Sequence, residues 1–378
     1  MNTNFIHPKD VPELLAASQQ SFLAEGIQLQ VASFENADLY PADQHGALYV
    51  KNQAVFDSHQ MLTPPPPTIY RNEEVVCLGA FTVCWGHEIT DHLRGLWFYF
   101  DKRFAHLKKL KIAFVLSFWT AQTPPSQNFW QLLESLGIPR EKFLLIDKPT
   151  RFARVFVPDA CFGMVDKKYC YTQEFVNLIN RLPNLQPPEN VNIEKVYFSR
   201  LAFQSPKDFN EIELENLFYN QGFSIIYPEQ LDFLSQLAIL QNCTIFAATD
   251  GSIAHNSLFL KPGTRTIICR KTRHFTAHQI IINHLKNLDV TYIDAAFSPF
   301  AQWRKVWEAG PFFLYETKAL RRFFGLPPKH FPFLKFLKYF CVNLPAFLNN
   351  ELLVWTHPIR GKLKLGTHLR HFLKIFKR

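Results

Sequence analysis

Residues 191–271 constrain the fold of this chain more than any other segment. Short apolar runs that predict β-strands alternate there with runs of helical periodicity, and polar turns follow the predicted strands. Strands that alternate with helices are typical of a parallel α/β sheet. In such a sheet the turns after the strands lie at one edge, which is where ligands bind. We therefore expect these turns to form one binding site, and their groups suit an anionic ligand.

Three of these turns carry the candidate ligand-binding residues. They are Ser199, Arg200 and the nearby Lys207 after the first strand, Tyr227, Pro228 and Glu229 after the second, and Asp250, Gly251 and Ser252 after the third. Arg200 offers a planar, permanently charged donor to a phosphate. Glu229 can accept hydrogen bonds from a ribose, and Gly251 lets the backbone approach an anion. Each turn also has a structural interpretation: a surface arginine, a helix start with proline in its first turn, and a tight turn capped by Asp250.

The N-terminal half contains a second candidate group. A helix is predicted over 86–100. Its inward-facing residues are Ile89, Leu93, Leu96 and Trp97. His87 and Asp91 are four residues apart, so they share one face of that helix and can act as a general base and its orienting partner. A helix cap beside a solvated acid is the structural alternative. His87 and His92 are five residues apart, which does not fit the His-Glu-x-x-His spacing of a zinc site.

The predicted organisation is α/β with two domains and a tail. The segment 182–191 holds three prolines and no apolar periodicity, so we interpret it as a linker. The predicted units are an N-terminal domain at 1–185, a second domain at 186–310 and a basic helical tail at 311–378. Within the second domain, a helix is predicted to begin at Asn210, with Glu213 completing a pair that resembles a capping box.

The cysteines and the N-terminus favour a reduced, cytosolic setting. The seven cysteines are odd in number and lack the spacing of a zinc site, so we expect buried thiols and no bound metal. The first ten residues are polar and lack an apolar signal core. No window reaches the roughly 18 uninterrupted apolar residues that a membrane span needs. We expect a cytoplasmic protein, either soluble or attached to a membrane surface.

The positive charge of the chain lies in its tail. Residues 318–378 hold 13 Lys or Arg and one acid, so their net charge is about +12. The whole chain has a net charge of +9, so residues 1–317 carry about −3. Aromatic and basic residues alternate in FLKFLKYF (333–340) and HLRHFLKIFKR (368–378). A cationic helix with an apolar face can lie on an anionic membrane. A closing helix packed on the N-terminal domain is the alternative, and nucleic acid is disfavoured because no recognised module accompanies the charge.

Taken in order, these motifs resemble the family 61 glycosyltransferases. The segments that carry the resemblance are WGHEITDHLRGLWF (85–98), VYFSR (196–200), NEIELENLF (210–218), GFSIIYPEQLDFLSQLAIL (222–240) and GSIAHNSLFLKPGTRTII (251–268). The resemblance implies a GT-B architecture, in which two Rossmann-like domains face each other across the active site. It adds Asn256 to the candidate donor-binding residues. Members often carry His-Gly-Ala at the positions occupied here by 250–252.

The resemblance also implies a reaction. The second domain would hold a nucleotide sugar, with Arg200 and Lys207 neutralising the diphosphate and the amides near Gly251 assisting. Asp91 or His87 would deprotonate the acceptor, and the reaction would invert the anomeric centre without a metal or cofactor.

The expected partners follow from that reaction and from the tail. They are a nucleotide sugar, an oligosaccharide or lipid-linked acceptor from capsule or lipopolysaccharide synthesis, and the anionic inner face of the inner membrane, with no nucleic acid. A glycan-binding scaffold that has lost catalysis is the alternative, and Asp250 is its support, since an acid there can repel a diphosphate. A nicotinamide-dependent oxidoreductase is disfavoured because no Gly-x-Gly-x-x-Gly follows a strand.

Overall fold

A computed structural model places most of the chain. The described residues are 3–6, 22–41, 47–50, 53–57, 66–116, 124–165, 168–186, 193–203, 208–272, 276–297, 299, 310–345 and 348. Lys207, the second half of the proposed linker (187–191) and the basic segment 351–378 lie outside them. Among the helices in the described part, none has the length and apolarity needed to cross a membrane.

The strands are numbered in chain order. They are β1 (Thr3–Ile6), β2 (Val31–Tyr40), β3 (Ala47–Val50), β4 (Gln53–Asp57), β5 (Ile69–Phe81), β6 (Lys111–Leu116), β7 (Phe143–Ile146), β8 (Thr150–Pro158), β9 (Phe162–Val165), β10 (Lys168–Tyr171), β11 (Lys195–Phe198), β12 (Asp208–Phe209), β13 (Ser224–Ile226), β14 (Ile245–Thr249), β15 (Arg265–Arg270), β16 (Asp289–Asp294), β17 (Ala296–Phe297) and β18 (Phe312–Leu314).

The α-helices are short. They are α1 (Trp85–Glu88), α2 (Gln127–Ser135), α3 (Gln173–Ile179), α4 (Ile212–Asn220), α5 (Phe233–Asn242), α6 (Ala277–Leu285), α7 (Lys318–Phe323) and α8 (333–345). Helices of the 3-10 type span Leu96–Phe100, Lys102–Lys109, Arg140–Lys142, Pro228–Gln230 and Ala254–Phe259.

The C-terminal half is built on a parallel sheet in the order β1-β16-β15-β14-β11-β13. Phe198 at the end of β11 lies opposite Ile226 of β13 and Ala248 of β14. The turns after these three strands therefore meet at one edge of a parallel sheet, as predicted from the sequence. The sheet order reverses between β11 and β14, and ligands of open α/β sheets bind at such a switch point.

The N-terminal half is built on a mixed sheet in the order β4-β3-β2-β8-β5-β6-β7. Strands β8, β5, β6 and β7 run parallel, whereas β2 pairs antiparallel with β8 and with β3, and β3 pairs antiparallel with β4. The chain is thus α/β, as predicted, with a parallel layer extended by antiparallel strands. The first strand, β1, precedes this sheet in the chain but pairs with β16 of the other half.

The helix predicted over 86–100 is broken. Only α1 is α-helical, a run of turns follows, and the segment ends as a 3-10 helix. The backbone departs from the α-helical pattern because the His92 N–H donates to the His87 carbonyl at 3.0 Å, five residues back. The inward face was nevertheless predicted correctly, since Ile89 and Leu93, like Leu96 and Trp97, are buried.

Two further local predictions were wrong. Asn210 does not cap α4: its backbone has a positive φ of 65°, and its side-chain amide donates to the Leu314 carbonyl at 2.9 Å. Asparagine adopts such a left-handed conformation more readily than most residues, so it serves here as a turn. The apolar residues of 253–260 also predict an α-helix, but the segment forms a 3-10 helix, Ala254–Phe259.

The two halves share a continuous apolar core, which includes buried residues from both. At α2 and α5 they also exchange hydrogen bonds: the Gln131 amide oxygen accepts from the Phe233 N–H at 2.8 Å, and Asn128 donates to the Leu231 carbonyl at 3.1 Å. The ring of Trp85 lies 6.3 Å from that of Phe233. This packing fixes α1 against the C-terminal half.

Candidate active site

His87 and Asp91 form a close pair beside the contact between the two halves. Nδ1 of His87 lies 2.5 Å from Oδ2 of Asp91. The turn that brings them together is fixed by Thr90, whose hydroxyl donates to the Gly86 carbonyl at 2.6 Å. The His87 side chain is 40% exposed and that of Asp91 is 19% exposed. The pair is therefore preorganised and the imidazole is open to solvent.

The N-terminal motif around Gly86 touches the turn predicted to bind the donor. The indole N–H of Trp85 donates to Oδ1 of Asn256 at 2.8 Å, and Sγ of Cys84 lies 3.3 Å from Oγ of Ser252. A Cβ added at Gly86 would lie 2.8 Å from that Ser252 oxygen. Glycine is thus required for the close approach. Two motifs more than 150 residues apart in sequence form one site.

Arg200 stands at the sheet switch point in a cluster of charges. Its guanidinium lies 3.6 Å from Oδ2 of Asp208, and Nζ of Lys271 lies 3.2 Å from the same oxygen. Lys271 and Asp208 are buried, whereas the Arg200 side chain is 24% exposed. Nζ of Lys271 would lie 3.7 Å from a Cβ added at Gly251. Lys271 therefore lies beside the glycine turn that precedes Ser252, and it shares Asp208 with Arg200.

The segment that holds these groups is related to known proteins. Residues 85–267 match the family model Glycosyltransferase 61. This segment is similar to the glycosyltransferase 61 family. The match begins at Trp85, ends within β15 and covers a little under half of the chain, including His87, Asp91 and Arg200. No curated protein matches the chain.

The protein is therefore a glycosyltransferase, and the remaining predicted site residues take different positions in it. Ser199 is buried, and its hydroxyl accepts from the Leu201 N–H at 3.0 Å, so it shapes the turn. Asn256 is buried and bonded to Trp85, so it joins the two halves. Asp250 accepts from the Gly251 N–H at 2.8 Å, and burial raises the pKa of its carboxyl.

The middle turn is the least enclosed part of the glycosyltransferase site. The Tyr227 hydroxyl donates to Glu215 at 3.2 Å, and Pro228 begins a 3-10 helix as predicted for a proline in a first turn. Glu229 is exposed, although partial burial of its carboxyl raises its pKa. Its proposed role at a ribose stays a prediction.

Asp91 is held as a carboxylate by the imidazoles of His278 and His87 and by the guanidinium of Arg94. Burial alone would raise the pKa of Asp91, but contacts from His278 and His87, and the nearby Arg94, lower it below its usual range. Arg94 lies 3.3 Å and His278 3.6 Å from Oδ1. A carboxylate that binds its proton so weakly is a poor base, yet it orients a neighbouring imidazole well.

Glu211 lies beneath Arg200, and its pKa is shifted upward, whereas that of Asp91 is lowered. Burial, followed by repulsion from Asp208, raises the pKa of Glu211 to about 7. Its carboxyl accepts from the Tyr197 hydroxyl at 2.9 Å and from the Arg200 N–H at 3.3 Å. The charge of this buried group therefore changes near neutral pH, next to the proposed phosphate site.

His255 is a buried polar residue at the junction of the two halves. Neither ring nitrogen has a hydrogen-bond partner within the described structure, and Nδ1 would lie 2.9 Å from a Cβ added at Gly86. Burial lowers the pKa of His255 to about 3, so the ring is neutral.

Four residues near the site escaped the sequence interpretation. They are Arg94, Asp208, Lys271 and His278. Lys271 had a usable signal: the apolar run 264–269 predicts a further strand, Lys271 comes shortly after it, and the rule that selected Arg200 therefore applies. His278 had none, since 187 residues separate it from Asp91 in sequence.

Within the described residues, no group of three or more His, Cys, Asp or Glu side chains is arranged to hold a metal ion. Metal independence itself stays a prediction.

Proposed function

We propose that this glycosyltransferase moves a sugar, with inversion and without a metal, from a nucleotide sugar to a growing surface glycan of the capsule or lipopolysaccharide type. Its two α/β halves would act as the facing domains of a GT-B enzyme. The observation that carries the proposal is the contact of the His87 motif with the Gly251–Asn256 turn. This contact supports the proposal because it brings the segment that holds the proposed base beside the predicted donor turn of the other half.

The donor diphosphate is proposed to bind at the switch point of the parallel sheet. Arg200 and Lys271 supply two positive charges there, and Gly251 leaves room for a phosphate to approach the backbone. Asp208 balances both cations before the donor arrives. Protein cations at this position would take the role that a divalent metal has in other enzymes, because both neutralise the departing diphosphate. Lys207, the helper predicted from the sequence, lies outside the described residues.

His87 is proposed as the base, with Asp91 as its orienting partner. The sequence left both open. Asp91 is held ionised by its neighbours and so has little affinity for a proton, whereas the imidazole of His87 is exposed and has its Nδ1 fixed by Asp91. Imidazole also titrates near neutral pH in general, which is what a general base requires.

The proposed reaction is one in-line displacement. The acceptor hydroxyl oxygen forms a bond to the anomeric carbon while the bond from that carbon to the diphosphate oxygen breaks. The hydroxyl proton passes to His87, and the negative charge on the released nucleoside diphosphate is stabilised by Arg200 and Lys271. Attack from the face opposite the leaving group inverts the anomeric centre.

The tail is proposed to bring the enzyme to an anionic membrane on the cytoplasmic side. Helix α8 packs on the C-terminal half through Tyr339, which is 3% exposed and donates its hydroxyl to the Pro311 carbonyl at 2.8 Å. Its other side exposes Phe333, Leu334 and Leu337. An apolar helix face followed by the cationic segment 351–378 suits a surface of anionic lipid, where lipid-linked acceptors are held.

A donor screen tests the proposed function. Purified protein is incubated with a panel of nucleotide sugars and acceptor glycans without divalent metal, and release of free nucleotide is measured. We expect one donor to be consumed, and we expect Arg200→Ala to raise the donor KM and lower turnover. If no nucleotide sugar shifts the thermal midpoint of the protein while a glycan does, the protein is a glycan-binding scaffold and the proposal is wrong.

A further inference from the structure

The carboxylate of Asp91 is contacted by one imidazole from each half of the chain. His87, from the N-terminal half, contacts Oδ2 at 2.5 Å, and His278, from α6 of the C-terminal half, contacts Oδ1 at 3.6 Å. His278 lies beyond the matched segment 85–267. The carboxylate therefore links the proposed base to the half of the molecule that is proposed to hold the donor.

The position of His278 is set by the hairpin of β9 and β10. The ring of Phe162 stacks on that of His278, with centroids 5.6 Å apart and an angle of 12° between the planes. Gly163, with a φ of 88°, follows, and a Cβ there would lie 3.3 Å from Nε2 of His278. A side chain at residue 163 would crowd the His278 ring, and the positive φ also favours glycine there. Further along α6 and away from Asp91, His284 shares a hydrogen bond of 3.0 Å with the Tyr171 hydroxyl.

We infer that His278 is a positioning residue for the transfer reaction: it holds one oxygen of Asp91 from the donor half, so that the other oxygen orients His87. The inference rests on the proposed function, in which His87 is the base. Its consequence is that the orientation of the base depends in part on a side chain from the half that is proposed to hold the donor.

The charges around Asp91 predict how the loss of His278 acts. The groups that face the carboxylate are His87, Arg94 and His278, and the neutral ring of His255 lies 6.3 Å from that of His278. Without His278, the carboxylate has one fewer imidazole donor beside it. Asp91 then attracts a proton onto His87 more strongly. The acidic limb of the rate profile should consequently move to higher pH.

Three variants test the role. His278→Ala removes the contact, His278→Gln keeps an N–H donor at nearly the same place, and His284→Ala loosens α6 at the Tyr171 contact without touching Asp91. We expect His278→Ala to lower kcat about 10- to 100-fold, the range typical when an outer partner of a functional group is lost. The donor KM should change little, His278→Gln should recover most of the loss, and His284→Ala should leave kcat unchanged.

The outcomes separate the alternatives. A loss in His278→Gln as deep as in His278→Ala would make His278 a proton carrier and overturn the positioning role. An equal loss in His284→Ala would reduce His278 to a packing residue.

A readout that does not need turnover keeps the inference testable if no donor is found. Protein labelled with ¹⁵N at histidine is titrated by NMR, with the His87 signals assigned from their loss in His87→Ala. We expect the titration midpoint of the His87 ring to rise in His278→Ala and to stay in place in His284→Ala. An unchanged midpoint in His278→Ala would overturn the coupling. A raised midpoint in a protein that consumes no donor would leave the coupling standing and count against the proposed function alone.

Discussion

Replacement of Gly86 by alanine should separate the two motifs that make the site. Gly86 lies in α1 without a positive φ, so alanine is allowed by the backbone. The added Cβ would nevertheless lie 2.8 Å from Oγ of Ser252, 2.9 Å from Nδ1 of His255 and 3.1 Å from Cβ of Ser252. All three atoms belong to the opposite half. The substitution should therefore push the two halves apart at this contact, and it leaves the proposed charged groups unchanged.

The size of the effect follows from these distances. An ordinary contact begins at 3.4 Å, so the two halves must part by about 0.6 Å at Ser252. A misplacement of 1 Å at a reacting centre can cost about 10²-fold in rate, so this smaller shift predicts about a tenfold loss of turnover. Overpacking typically costs about 1–3 kcal/mol, and the better helix propensity of alanine offsets up to about 1 kcal/mol. We expect a net destabilisation of about 1 kcal/mol.

The assay compares Gly86→Ala with Gly95→Ala. A Cβ at Gly95 would also meet an atom at 2.8 Å, but that atom is Cδ2 of Leu78, the end of a flexible side chain in the same half. Turnover is measured by nucleotide release, donor affinity by calorimetry and stability by urea unfolding. We expect Gly86→Ala to lose turnover with donor affinity largely retained, and Gly95→Ala to keep both. Full turnover in Gly86→Ala would refute the idea that this contact aligns base and donor.

Three further outcomes are expected. Because the folded state raises the pKa of Glu211 to about 7 from an ordinary 4.5, it binds that proton more tightly than the unfolded chain, so the free energy of unfolding should fall by about 3 kcal/mol as pH rises from about 4.5 to 7. In Glu211→Gln, the free energy of unfolding measured with urea should lose most of this pH dependence. A pH profile identical to that of the unmodified protein would contradict the raised pKa of Glu211. His87→Ala should lower kcat about 10²- to 10⁴-fold with donor affinity intact, whereas a loss confined to Asp91→Asn would identify Asp91 as the base. Deletion of 351–378, which spares the packed helix α8, should abolish sedimentation with anionic vesicles, and retained binding would exclude that segment as the anchor.

The parallel sheet could be predicted because its signals are local. Each strand of 195–270 is a short apolar run that ends in a polar turn, and the parallel arrangement then dictates that Ser199, Tyr227 and Asp250 meet at one edge. The burial of Ile89 and Leu93 was predicted for the same reason. The break in the predicted helix after Glu88 was not predicted, because burial at three- and four-residue spacings is compatible both with a helix and with the observed run of turns.

The rest of the candidate site depends on contacts between distant parts of the chain. Whether Asn256 binds a ligand or Trp85 is decided by the packing of the two halves, which no local pattern encodes. Asn210 was expected to cap a helix, but its amide is used by the Leu314 carbonyl, more than 100 residues away. His278 reaches Asp91 through the placement of a hairpin, so the sequence around it carries no sign of the role.

The strand β1 determines how the molecule can be divided. Thr3–Ile6 form an edge strand of the parallel sheet of the C-terminal half and pair with Val290–Ile293. In the chain, however, they precede every strand of the N-terminal sheet. A cut within 182–191 would therefore not yield a self-sufficient nucleotide-binding fragment, since β16 would be left with an open row of backbone donors and acceptors that invites association. A peptide carrying residues 3–6 should restore solubility to such a fragment by strand addition.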